Sequence, residues 1–150
     1  MKKEYGLIKK KFDLPDFNVM DDYFEISKAE TEPFILRNIR NKIYEYVEHS
    51  GSILDELIHP DSKFCIMIES STFTDQERDQ LMVLYKQIMF FNRWAVEISI
   101  YDSDKENAKF IKSVFDFWKP FRKDLRKQVS KLKEVWIKED EQKEKLGYLG

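Results

Sequence analysis

The 150-residue sequence holds one cysteine, four glycines and four prolines. Cys65 alone cannot close an intramolecular disulfide, which excludes a disulfide-stapled secreted framework. So little glycine and proline excludes collagen-like and linker-like chains. Gly6, Gly51, Gly147 and Gly150 are also too scattered to build a loop that cradles phosphate. No uncharged apolar run reaches the roughly 18 residues a membrane-spanning helix needs. Lys9-Lys10-Lys11 interrupts the segment after Lys2 and Lys3 before any apolar signal core can form. The expectation is therefore a reduced, cytoplasmic protein.

What is abundant points to a folded chain. Charged residues make up 36 % and aromatic residues 15 %, with twelve Phe, seven Tyr and three Trp. A charge-dominated disordered chain does not carry so many large apolar side chains. The length suits one domain, 1–150, with an irregular N-terminal arm over 1–15 and a frayed polar tail from about 140. A lysine-heavy, isoleucine-rich composition fits an AT-rich genome or a thermophile. The net charge of −2 conceals segregation: residues 1–12 are cationic, 13–61 strongly acidic, 62–101 near neutral and 102–150 cationic. Partners must therefore be read from local charge rather than from the total.

Periodicity is helical almost throughout. Asp16 or Asn18 opens a short helix to about Lys28. Thr31-Glu32-Pro33 starts the next, with Leu36, Ile39, Ile43, Tyr46 and Val47 on one face and a stop before Gly51. Ser52 then caps a two-turn helix from Ile53 to His59. The apolar run Phe64 to Ile68 fits a buried helix or a strand, and the absence of a partner strand favours helix. Thr74-Asp75-Gln76-Glu77 is a capping box opening a long central helix to about Tyr101. Most of its circumference is apolar, so burial on most sides is expected. Ser103-Asp104-Lys105-Glu106 is a second capping box. The helix behind it keeps its apolar phase across Pro120, where a kink rather than a stop is expected. The fold class is all-α: an irregular antiparallel bundle of five to six helices.

Four patterns bear on function. The first is the aromatic stripe of the last helix, which outruns the shorter helices able to cover it. Phe117, Phe121, Trp136 and Ile137 are read as its contact with a second copy of the chain or with another protein. The leading expectation is thus a non-enzymatic interaction or scaffold protein, a homodimer or a subunit of a larger assembly. The second is the basic arc on the same helix: Lys105, Lys109, Lys112, Lys119, Lys123, Arg126, Lys127, Lys131 and Lys138. Repeated cations suit phosphate contacts, so Lys119, Lys123, Arg126, Lys127 and Lys131 define an alternative, sequence-independent binding of nucleic acid. A solvated face is the ordinary reading of such an arc.

The third pattern is Glu56-Leu57-Ile58-His59, a Glu-x-x-His spacing that places two metal-ligand types on one helix face. Helical di-metal sites use two such motifs, and this chain has one, so a metalloprotein using Glu56 and His59 ranks third. The fourth is the lone thiol. Within its apolar run Cys65 is read as a small buried residue rather than a nucleophile. No residue pattern indicates a catalytic centre, a cofactor or a small-molecule substrate.

Overall fold

The computed structural model describes residues 1–30, 33–60 and 63–146, the side chains of 138–146 excepted. Among the described residues six α-helices follow one another: α1 (Lys2–Phe12), α2 (Phe17–Phe24), α3 (Ile35–Ile58), α4 (Phe64–Ser71), α5 (Asp75–Ile100) and α6 (Asp104–Leu146). A short 3-10 turn, Ile26–Lys28, follows α2, and no strand occurs among the described residues. The fold is an all-α helical bundle. No described helix is long and apolar enough to cross a membrane. The Thr31 start signal, the Lys138 side chain and the Gly147–Gly150 end lie outside the described residues.

The chain divides into two compact units. The first comprises Met1–Ser52 and Lys86–Lys119, the second Ile53–Tyr85 and Pro120–Gly150. Helices α3, α5 and α6 each contribute residues to both.

In the first unit, residues 1–12 form a helix instead of the expected irregular arm. Glu4 in its first turn and three lysines in its last complement the helix dipole. Tyr5 is 1 % exposed and its hydroxyl donates to the Pro15 carbonyl at 2.9 Å. Burial of a large ring is worth about 1.5–3 kcal/mol, which outweighs the helix penalty of Gly6. The helix ends at Asp13, in the left-handed region at φ 52°. Asp16 caps α2 by accepting the Asn18 amide at 3.0 Å. Phe24, fully buried, packs 5.1 Å from Trp118 and 5.8 Å from Tyr46. Ile39, Ile43 and Val47 of α3 and Ile88 of α5 are also fully buried.

Helix α3 runs without a break through Gly51, where the sequence suggested a stop and a fresh start. Glycine is an ambiguous stop signal, because it costs a helix interior only about 1 kcal/mol. Here Gly51 is buried beside α5, and a Cβ placed on it would lie 3.9 Å from Ile88 and Met89. The Ser52 hydroxyl, expected to cap a new helix, donates instead to the Glu48 carbonyl within α3 at 3.1 Å.

In the second unit, Phe64–Ser71 is helical, as the sequence favoured. The expected burial of Cys65 is not observed: Cys65 is exposed, as are Phe64 and Met67 beside it. Only Ile66 and Ser70 of this short helix are buried, because two turns can turn only one narrow side inward. Ser71 and Thr72 donate to carbonyls of its last turn. The capping box of α5 forms in both directions: Thr74 Oγ1 accepts the Glu77 amide at 3.3 Å, and Glu77 Oε2 accepts the Thr74 amide at 2.9 Å.

Burial on α5 is confined to one stripe, Leu81, Leu84, Ile88, Phe91, Ala95 and Ile98. Val83, Phe90, Val96 and Ile100 are exposed, so the expected burial on most sides does not hold. Helix α6 passes through Pro120 without stopping and stays helical to Leu146, overlapping the segment expected to fray. Its burial fades along its length. Phe110, Ile111, Val114, Trp118 and Phe121 are core, whereas Val129 and Trp136 are partly exposed.

Candidate functional site

The residues singled out in the sequence fall in different settings. Glu56 and His59 are both exposed on the last turns of α3. His59 Nδ1 lies 3.3 Å from Asp55 Oδ1, and the Tyr85 hydroxyl donates to the same carboxylate oxygen at 2.7 Å. No group of three or more metal-ligating side chains able to hold an ion occurs among the described residues. The Glu-x-x-His spacing thus gathers no ligand set among them.

Of the basic arc, Lys119 in the first unit is exposed, as are Lys123, Arg126 and Lys127 in the second. Lys131 behaves differently. It donates to Glu77 Oε2 at 2.6 Å and lies 5.2 Å from the Phe73 ring centroid. That bond, together with donation from Thr74, holds the Glu77 carboxyl far down, at about 2. Lys131 therefore ties α6 to the start of α5 and is removed from the set of free cations.

The proposed contact residues divide similarly. Phe121 is 2 % exposed, so it is a core side chain and not one offered to a partner. Phe117 is half-buried, with its ring 4.7 Å from Phe91. Trp136 is 40 % exposed and donates its indole N–H to Glu69 of α4 at 2.8 Å. Ile137 is exposed. The helical wheel placed Phe121 and Trp136 on the apolar stripe and Phe117 on its flank, but could not reveal that α6 is covered through Phe121 and that α4 reaches Trp136.

A surface not singled out in the sequence lies in the first unit, where α5 and α6 border an open cleft of about 400 Å³. Phe90, Arg93, Trp94, Glu97 and Lys109 line it. Phe90, Trp94 and Glu97 follow spacings of four and three, which sets them along one side of α5, and Tyr101 follows directly after its last residue. That side is separate from the buried stripe. Phe90 is 62 % exposed and Tyr101 84 %. The Phe90 and Trp94 rings are 5.8 Å apart, and Trp94 meets the buried Phe110 edge-on at 5.5 Å. Lys109 Nζ lies 5.6 Å from the Trp94 ring centroid, within cation–π range.

The floor is therefore a rigid aromatic platform anchored in the core. Its rim carries charges of both signs. Arg93 and Glu97, one helical turn apart, form no ion pair with each other or with any other described residue. The sequence carried part of this signal, since an aromatic set displaced from the core stripe can be drawn on a wheel. What a wheel cannot give is that burial stops at the narrow stripe from Leu81 to Ile98. No protein-family model matches the chain, and no curated protein or solved structure is significantly similar to it.

Proposed function

We propose that this chain is a non-enzymatic helical interaction protein that pairs with a second copy of itself through the Phe90–Trp94 surface. The observation that carries this reading is an exposed aromatic platform flanked by unpaired charges of opposite sign on the same helix. A two-fold interface uses the same patch twice, so residue i of one copy meets residue j of the other and the reverse. Two antiparallel copies of α5 would set each Arg93 against the partner's Glu97, satisfying both charges. Trp, Phe and Arg are also the residue types that dominate interface cores and hot spots. The contact thereby moves from the outer end of α6 to α5, because Phe121 is core and Trp136 is engaged by Glu69.

Sedimentation velocity across a micromolar concentration series tests the reading. The wild-type chain sediments as a dimer, and Trp94→Ala or Arg93→Glu shifts it to monomer. The charge-swapped Arg93→Glu/Glu97→Arg chain regains the dimer, because the swap restores both pairs. A wild-type chain that stays monomeric throughout sinks the proposal.

A second reading rests on one separate observation. Lys123, Arg126 and Lys127 are exposed and form no ion pair among the described residues. They support sequence-independent contact with nucleic-acid phosphates, which fixes position without reading bases. Anisotropy of labelled oligonucleotides at about 50 and 200 mM salt tests it. Binding that weakens steeply with salt, and is lost in the triple alanine variant, supports this reading. Absence of binding at the lower salt removes it.

A further inference from the structure

Arg40 sits on α3 in the first unit and is 5 % exposed. One of its amino groups donates to the Ala95 carbonyl at 2.9 Å. Its Nε–H is buried and has no hydrogen-bond partner among the described residues. No carboxylate among them pairs with it either. The nearby acid is Asp102, and both of its oxygens are engaged elsewhere. Oδ2 accepts from Arg37 at 2.6 Å, and Oδ1 accepts from the buried Asn107 amide at 2.7 Å. Two guanidinium groups thus share the field of one carboxylate, and the excess positive charge belongs to the buried one. Desolvation lowers Arg40's hold on its proton, and Asp102 opposes this. An arginine nevertheless stays protonated in proteins. A buried cation without a counter-ion is costly.

Arg40 also lines a pocket of about 140 Å³, with Asn41, Tyr44, Ala95, Val96 and Ser99. That volume is well above the roughly 10–15 Å³ a single water needs. Its polar lining is rich in donors. The Tyr44 hydroxyl receives a long contact from Asn92 at 3.5 Å, and its own proton has no acceptor among the described residues. The Asn41 side-chain amide is exposed and makes no hydrogen bond among them. The Ala95 carbonyl, an acceptor at the wall, is already taken by Arg40.

We propose that this pocket binds a small oxyanion, a phosphate or a carboxylate group. Arg40 supplies the charge, and Tyr44 and Asn41 supply neutral donors. Charge-assisted bonds from a guanidinium fork to such an anion are the strong class of hydrogen bond. The pocket draws on α3 and on α5 positions other than Phe90, Arg93, Trp94 and Glu97. The anion proposal therefore does not rest on self-association.

Isothermal titration of the full chain with inorganic phosphate, sulfate and acetate tests the proposal, at constant ionic strength balanced with chloride. The expected result is saturable one-to-one binding in the millimolar range or tighter. Saturation by phosphate and sulfate alone identifies a tetrahedral ligand, and saturation by acetate a carboxylate; both support the site. Tyr44→Phe removes one donor without touching the core and weakens binding about tenfold, with unchanged far-ultraviolet circular dichroism. Arg40→Met abolishes it. If Arg40→Met fails to fold, Tyr44→Phe decides alone. The proposal is overturned if none of the three anions saturates, or if Tyr44→Phe binds as tightly as wild type.

Discussion

Lys131 Nζ and Glu77 Oε2 are 2.6 Å apart, and Glu77 is also the carboxylate of the α5 capping box. One acid therefore satisfies an orphan helix N–H and a lysine of another helix within the second unit. The charge that looked like part of a phosphate-binding arc is instead a clamp between α6 and the start of α5.

This clamp fixes a pH dependence. The Glu77 carboxyl is lowered from an ordinary 4.5 to about 2, chiefly by the Lys131 bond. A group with a depressed folded-state pKa stabilises the fold above its unfolded value. Its contribution is present above about pH 4.5 and is lost as pH falls toward about 2. Glu77→Gln is expected to lower the urea midpoint at pH 7 and to flatten the acid limb between those values. A variant whose acid limb matches wild type would show that the clamp adds nothing.

Gly51 is a helix-interior glycine with room for a methyl group, since a Cβ there would meet Ile88 and Met89 at an ordinary contact distance of 3.9 Å. Gly51→Ala should therefore stabilise the chain by about 0.5–1 kcal/mol, read as a higher thermal midpoint. A lower midpoint would mean that α3 does not run unbroken through this position.

Phe121 and Trp94 differ in kind. Phe121→Ala should destabilise by about 3–5 kcal/mol, as large core truncations do, and leave sedimentation unchanged where the chain remains folded. Trp94→Ala should change sedimentation at a smaller cost in stability. Chemical denaturation and sedimentation on the same two samples separate the roles. The reverse pattern would return the interface to α6.

Tyr5 tests the first helix. Tyr5→Ala should cost about 3 kcal/mol, because the ring is buried and its hydroxyl holds the Pro15 carbonyl. A near-neutral effect would restore the picture of a loose arm.

Cys65 is exposed. One thiol equivalent should therefore react with a disulfide reagent in buffer at a rate close to that in denaturant. Protection of more than about a hundredfold, equivalent to roughly 2.7 kcal/mol of opening, would place it in the core.

The sequence alone determined the helical class, the capping box at Thr74, the helix start at Asp16 or Asn18 and the passage of α6 through Pro120. These follow from residues within one or two turns of each other. Local hydrogen bonding and the 3.6-residue period act over that range, so they leave a readable trace. The tertiary structure decided the rest. Gly51 stays inside α3, and Tyr5 draws the cationic N-terminus into a helix. Phe121 is core while Phe90, equally apolar, faces solvent, because burial depends on what packs against a face and not on the face itself. Arg40, unremarkable as one of six arginines, becomes a buried cation only when α3 meets α5 and Asp102 is taken by Arg37 and Asn107. Counter-ions and covering helices come from positions tens of residues away, and no local period in the chain encodes them.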